Sequence, residues 1–264
     1  MSPVRSGLLA AWGSAWLAGR VGYDELVAEV TREDEPHRVA GLPGSDTVGP
    51  DGLGSLGGSD RGVPLLWVLS AWRDRGVRSL AVVLPVPGDP RGLPGPGAFT
   101  TAALEAGEAV LGGELGLVPR ISRHGSVGSV TVLVRWQGYH GLPPVPVSEP
   151  LSVAEAQHEL TTAMRDAATE LAGLDAASWR PDVAENVARL RRRTAPAPLP
   201  PGHDPRAVRL LVQADRLAAV LELADADAPG GALTTHAASA RSAALRPLWT
   251  AVRRARLAAY NSGG

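Results

Sequence analysis

The 264-residue chain contains no cysteine and no lysine, a single isoleucine (Ile121), a single phenylalanine (Phe99) and two methionines. Without cysteine there are no disulfides, no thiolate nucleophile and no zinc or iron–sulfur centre built on thiolates, so only His and carboxylates are left as metal ligands. The six histidines, His37, His124, His140, His158, His203 and His236, show no H-x-x-x-H or H-E-x-x-H spacing, and no metal site is expected. No apolar run approaches the length of a membrane span. All 26 basic residues are Arg, the mark of a high-GC bacterial genome, so a lone Arg says less than usual about anion recognition and only clusters carry weight.

Other signatures are missing too. There is no G-x-S-x-G nucleophile elbow and no G-K-[ST] phosphate loop. Gly52, Gly54 and Gly57 do match G-x-G-x-x-G, but no strand runs into them and no helix opens directly after them, and the fingerprint works only in that setting. No cofactor is indicated.

What is present is an uneven charge. Residues 1–62 hold five Arg and nine acids, whereas residues 230–264 hold five Arg and no acid. That distribution suggests an internal electrostatic docking or an acidic partner for the C-terminal end.

The opening stretch, MSPVRSGLLAAWGSAWLAG, has the Arg and the apolar run of an export leader, yet Gly13 and Ser14 interrupt it. Leu9, Trp12 and Trp16 recur at helical spacing like a core face, so we read a helix over 6–18 and place the chain in the cytoplasm. A second helix follows near 24–30 with Asp24 as its N-cap, ended by Glu33, Asp34, Glu35 and Pro36, then a short strand at 37–41. Residues 42–62 have turn composition throughout and form a lid or a tether.

From Val63 helix and strand alternate: a helix to Gly76, a strand at 80–84 buried on both faces, a helix over 98–113, and strands from Gly116 and Ser129 joined by HGSVG. The order β-α-β-α-β-β predicts an α+β fold with a small mixed sheet of about four strands, parallel where helices connect them. Beyond a Pro-rich crossing the chain becomes helical. Ser152 and Glu155 form a capping box, a stripe follows at Leu160, Met164, Ala167 and Leu171, and a partner helix starts at Pro181. Helices over 205–226 and 232–260 complete a C-terminal bundle. The expected division is 1–41 helical hairpin and first strand, 42–62 Gly-rich loop, 63–150 sheet region and 151–264 helical region.

Two places carry candidate chemistry. The loop 85–101 lies between a strand end and a helix start, where anions are held; Arg91 would neutralise the ligand, Asp89 would orient Arg91, and Thr100 and Thr101 would bond to the ligand or cap the helix. On the last helix Arg246, Arg253 and Arg254 fall away from an apolar side formed by Leu245, Leu248, Val252, Ala255 and Ala259. With no catalytic constellation visible, the expectation is a non-enzymatic intracellular binding or scaffold protein acting through its helical C-terminal region on an acidic protein. The alternative is an enzyme or sensor for a small anionic metabolite at 85–101. Nucleic acid is disfavoured by the near-neutral pI and the lack of aromatic residues among the Arg.

Overall fold

Helix α1 (Arg5–Leu17) is buried at every position, which is why Leu, Trp, Ala and Gly occupy all of its sides and Arg5 is its one charged residue. The two residues that interrupt its apolar run are packing devices. A Cβ on Gly13 would lie 2.6 Å from Leu80 Cδ1, so glycine at this position makes room for the leucine. Ser14 Oγ donates to the Ala10 carbonyl at 2.7 Å and accepts the Leu80 N–H at 2.8 Å. Together they fasten α1 to the chain leading into β3 (Ala81–Val83). Helix α2 (Tyr23–Thr31) starts after Gly22 rather than at Asp24; Asp24 sits in the first turn, where its carboxylate suits the helix dipole without capping.

This computed structural model describes residues 4–32, 34–45, 62–126, 129–145, 151–173, 199–226 and 235–263. Most of the expected lid or tether at 42–62, and the helix expected from Pro181, lie outside the described residues. The chain divides into two compact units, one built mainly from Val4–Glu149 and the other from Pro150–Pro198 and His203–Ser262.

The first unit is α+β, as its alternation of elements implied. Its six described strands are β1 (Arg38–Ala40), β2 (Val63–Pro64), β3, β4 (Ala109–Gly112), β5 (Leu115–Ser126) and β6 (Ser129–Tyr139), ordered β2-β1-β6-β5-β4-β3. Two strands exceed the expected four. β2 is only two residues long, and β4 was concealed in the helix read over 98–113. That helix, α4 (Ala98–Ala106), stops where Gly107 adopts φ +73° as its C-cap, a conformation glycine takes without strain.

Neither expected parallel pair forms, since β1 and β3 are not neighbours and neither are β3 and β5; the parallel pairing observed among the described strands is that of β1 with β6. β3 and β4 are antiparallel, with Val83 opposite Ala109. The whole connection between them therefore leaves and returns at one end of the strand pair, and the crossover rule does not apply to such a connection. β3 is also an edge strand, and its Ala81 is exposed.

Helices cover both faces of this sheet. Phe99 and Ala103 of α4 pack on Val83, Ala109, Leu111 and Val118. On the other face, α1 packs on β3, β4 and β5 and against α3 (Leu65–Asp74). There Trp72, fully buried, donates its indole N–H to the Gly112 carbonyl at 3.0 Å. The β5–β6 hairpin outruns these layers: β5 is buried through Pro119 and exposed from Arg120 onward. The alternation at Val130, Val132, Val134 and Trp136 thus marks core only at its inner end, since Val134 and Trp136 are buried while Val130 is 58% exposed.

The second unit packs α5 (Val153–Gly173), α6 (Pro205–Ala226) and α7 (Thr235–Asn261). Its core joins Leu160 and Ala167 of α5, Leu210, Ala214 and Leu221 of α6, and Leu245, Leu248, Val252 and Ala255 of α7. Met164 departs from the expected stripe, being exposed. The capping box forms as read: Ser152 N–H donates to Glu155 Oε2 at 2.9 Å, and Glu155 N–H donates to Ser152 Oγ at 3.2 Å. The hydrogen bonds from the Ser152 hydroxyl and backbone hold the Glu155 carboxyl below its ordinary value.

Candidate functional site

In the loop 85–101 the four candidate side chains bond to the loop itself. Arg91 Nε and Nη2 grip both oxygens of Asp89, each at 2.7 Å. The Thr100 hydroxyl donates to the Gly95 carbonyl and that of Thr101 to the Gly97 carbonyl, so neither caps α4 through its side chain. An anion here would have to displace Asp89 from Arg91.

On α7 the three candidate arginines do not act as one set. Arg246 is exposed, Arg253 is half-buried, and Arg254 Nη1 lies 3.1 and 3.2 Å from the two oxygens of Glu159 on α5. Nearby, Arg256 Nε donates to Asp215 of α6 at 2.8 Å. Burial raises the Asp215 carboxyl pKa, outweighing the lowering by the Arg256 charge. The basic end of the chain is therefore tied, in part, to acids within its own unit.

Between α5 and α7 lies a groove of about 470 Å³. Ala163, Ala167, Ala244 and Ala251 line it together with Pro247, and its acidic groups are Glu159, Asp166 and Glu170. Glu159 is already held by Arg254, which leaves Asp166 and Glu170 to set the sign of the remaining lining. Pro247 lies within α7; it lacks an N–H, so the carbonyl one turn earlier has no intrahelical donor. A sequence signal for this acidic face exists. Glu159, Asp166 and Glu170 are seven and four residues apart, a spacing that gathers them on one side of a helix.

A second cluster lies buried in the sheet unit, and of its members the sequence marks only Asp34 as part of a helix end. Arg5 Nε and Nη2 hold Asp34 at 2.6 and 2.8 Å, with the Arg5 side chain 3% exposed. Asp34 also faces His37 Nε2 at 3.4 Å, and Trp136 Nε1 donates to His37 Nδ1 at 3.3 Å. With Nδ1 accepting, Nε2 carries the proton of the neutral ring and points it at Asp34. Burial pushes the His37 pKa down to about 4, against the raising effect of Asp34. The imidazole has no exposed surface, so this dyad ties the α2–β1 connection to α1 and β6 and offers nothing to a substrate. Among the described residues no group of three or more His, Asp or Glu could hold a metal ion.

The sequence matches the Rv1486c-like protein N-terminal domain over residues 6–150 and the Rv1486c-like protein C-terminal domain over residues 154–257. Uncharacterized protein Rv1486c of Mycobacterium tuberculosis (strain ATCC 25618 / H37Rv) is 32% identical over 280 residues, covering 96% of this chain and 95% of its own length. Uncharacterized protein ML1804 of Mycobacterium leprae (strain TN) is 29% identical over 286 residues, with the same coverage of 96% and 95%. These mycobacterial relatives fit the high-GC composition. No solved structure matches the chain.

Proposed function

The chain belongs to the Rv1486c-like protein family, and we propose that it works as a non-enzymatic binding protein whose helical unit receives a basic, amphipathic helical segment of a partner protein in the groove between α5 and α7. The observation that supports this reading most is the groove's lining: four alanines and a proline, with the carboxylates of Asp166 and Glu170 beside them. Small apolar residues let a third helix approach closely, and acidic flanks select cations on its edges. This keeps the helical region as the binding element but reverses the expected charge of the partner, because Arg254 is paired with Glu159.

The test titrates the full chain with an amphipathic peptide bearing an Ala/Leu face flanked by Arg. Asp166→Asn combined with Glu170→Gln should weaken binding about tenfold at low salt, as expected for two exposed charge contacts. Binding unaffected by that pair of changes, and equally unaffected by filling the floor with Ala163→Leu, would remove the groove from consideration.

A further inference from the structure

Strand register brings three arginines together that are far apart in sequence. Arg120 stands directly opposite Arg135 across β5 and β6, and Arg135 stands opposite Arg38 across β6 and β1. Residues paired in this way share a sheet face. The three therefore form one row, on the face where Val118 packs against α4. With strands ~4.8 Å apart the row spans about 10 Å. Arg120 is exposed, and Arg38 and Arg135 are half-buried.

Among the described residues no acid balances this charge. Residues 115–148 contain no acid. Among the described residues none of the three arginines has an ion-pair partner, and Asp34, ahead of β1, is held by Arg5. Like charges directly opposed across strands destabilise a sheet, so the row works against the fold unless an anion bridges it.

We infer that this row is a binding site for a linear di- or triphosphate group. Guanidinium groups recognise phosphate oxygens bidentately. One phosphate monoester carries about −1.5 to −2 charges and leaves three arginines unbalanced, whereas a di- or triphosphate chain matches them in charge and comes closer in length. Ser122 and His124 continue the same face along β5, joined by a 3.2 Å hydrogen bond, and add polar groups beside the row. Single-stranded nucleic acid fits less well, because among the described residues His124 is the one exposed ring on this face: Trp136 belongs to the opposite face and is buried, and Tyr139 packs edge-on against Phe99 at 5.5 Å.

The experiment is calorimetric titration of the full chain with inorganic tripolyphosphate at low salt, with orthophosphate, a nucleoside triphosphate, a single-stranded oligonucleotide and an acidic peptide as parallel arms. Tripolyphosphate should bind at least about tenfold more tightly than orthophosphate and weaken steadily with added salt. Arg135→Gln, or Arg120→Gln if the first variant folds poorly, should reduce that affinity about tenfold or more without lowering the melting temperature, because a like-charge contact is relieved. Arg123→Gln, on the opposite face, should leave it within about twofold. Equal binding of tripolyphosphate and the nucleoside triphosphate assigns recognition to the phosphate chain alone, tighter binding of the latter assigns it to nucleotides, and both uphold the site. No binding of tripolyphosphate, affinity indifferent to Arg135 and Arg120, or preference for orthophosphate, the oligonucleotide or the acidic peptide overturns it.

Discussion

Acid should unfold the sheet unit partly through one buried ring. His37 is completely enclosed, accepts the Trp136 indole N–H, and has its pKa lowered from 6.5 to about 4, burial being the largest cause. Its folded value lies below its unfolded value, so between these pH values the unfolded chain binds the extra proton. The sign follows directly: stability is fully present above pH 6.5 and is lost as pH falls toward 4. At 1.36 kcal/mol per pKa unit the loss is about 3 kcal/mol, a large part of a domain's marginal stability. Urea unfolding of the sheet at pH 7 and at pH 4, in the chain and in His37→Phe, isolates the effect, because most carboxylates titrate alike in both and cancel in the difference. The variant will be less stable at pH 7, since Trp136 Nε1 loses its acceptor, but its stability should fall by about 3 kcal/mol less between the two pH values. Equal pH dependence in both chains would refute the reasoning and mean that the ring protonates in place.

Two further outcomes rest on the backbone and on α1. Ser14→Ala strips the buried Leu80 N–H of its acceptor and should cost about 1–3 kcal/mol in urea unfolding; a cost near zero would mean that another acceptor replaces the hydroxyl. Arg32, the single described non-glycine residue with positive φ (50°, as the C-cap of α2), is strained, so Arg32→Gly should raise stability by about 1 kcal/mol or hold it level. A fall of that size would show that the side chain contributes more than the backbone conformation costs.

Much of the fold was legible because apolar spacing reports burial. The faces at Leu210, Ala214 and Leu221 and at Leu245, Leu248 and Val252 turn inward, whereas Leu9, Trp12 and Trp16 mark no separate face because α1 is buried on every side; the Ser152–Glu155 box is a local device that needs no tertiary context. β4 was not legible, since four apolar residues after a helix have no period of their own and only Gly107 announces the break. The pairing of Arg5 with Asp34 spans 29 residues, and the Arg38–Arg135–Arg120 row exists only through strand register, which composition and spacing do not specify. The C-terminal arginines show the opposite error: their clustering was visible, but the carboxylate that holds Arg254 lies 95 residues away.

The binding role of the helical unit is tested most directly by locating the bound segment. Amide hydrogen exchange of the full chain, with and without the Arg-flanked amphipathic peptide, should show added protection over residues 158–170 of α5 and 244–254 of α7, the stretches that line the groove. That protection should disappear in the Asp166→Asn, Glu170→Gln variant. Protection confined to the sheet unit, or identical footprints in the chain and the variant, would contradict the account.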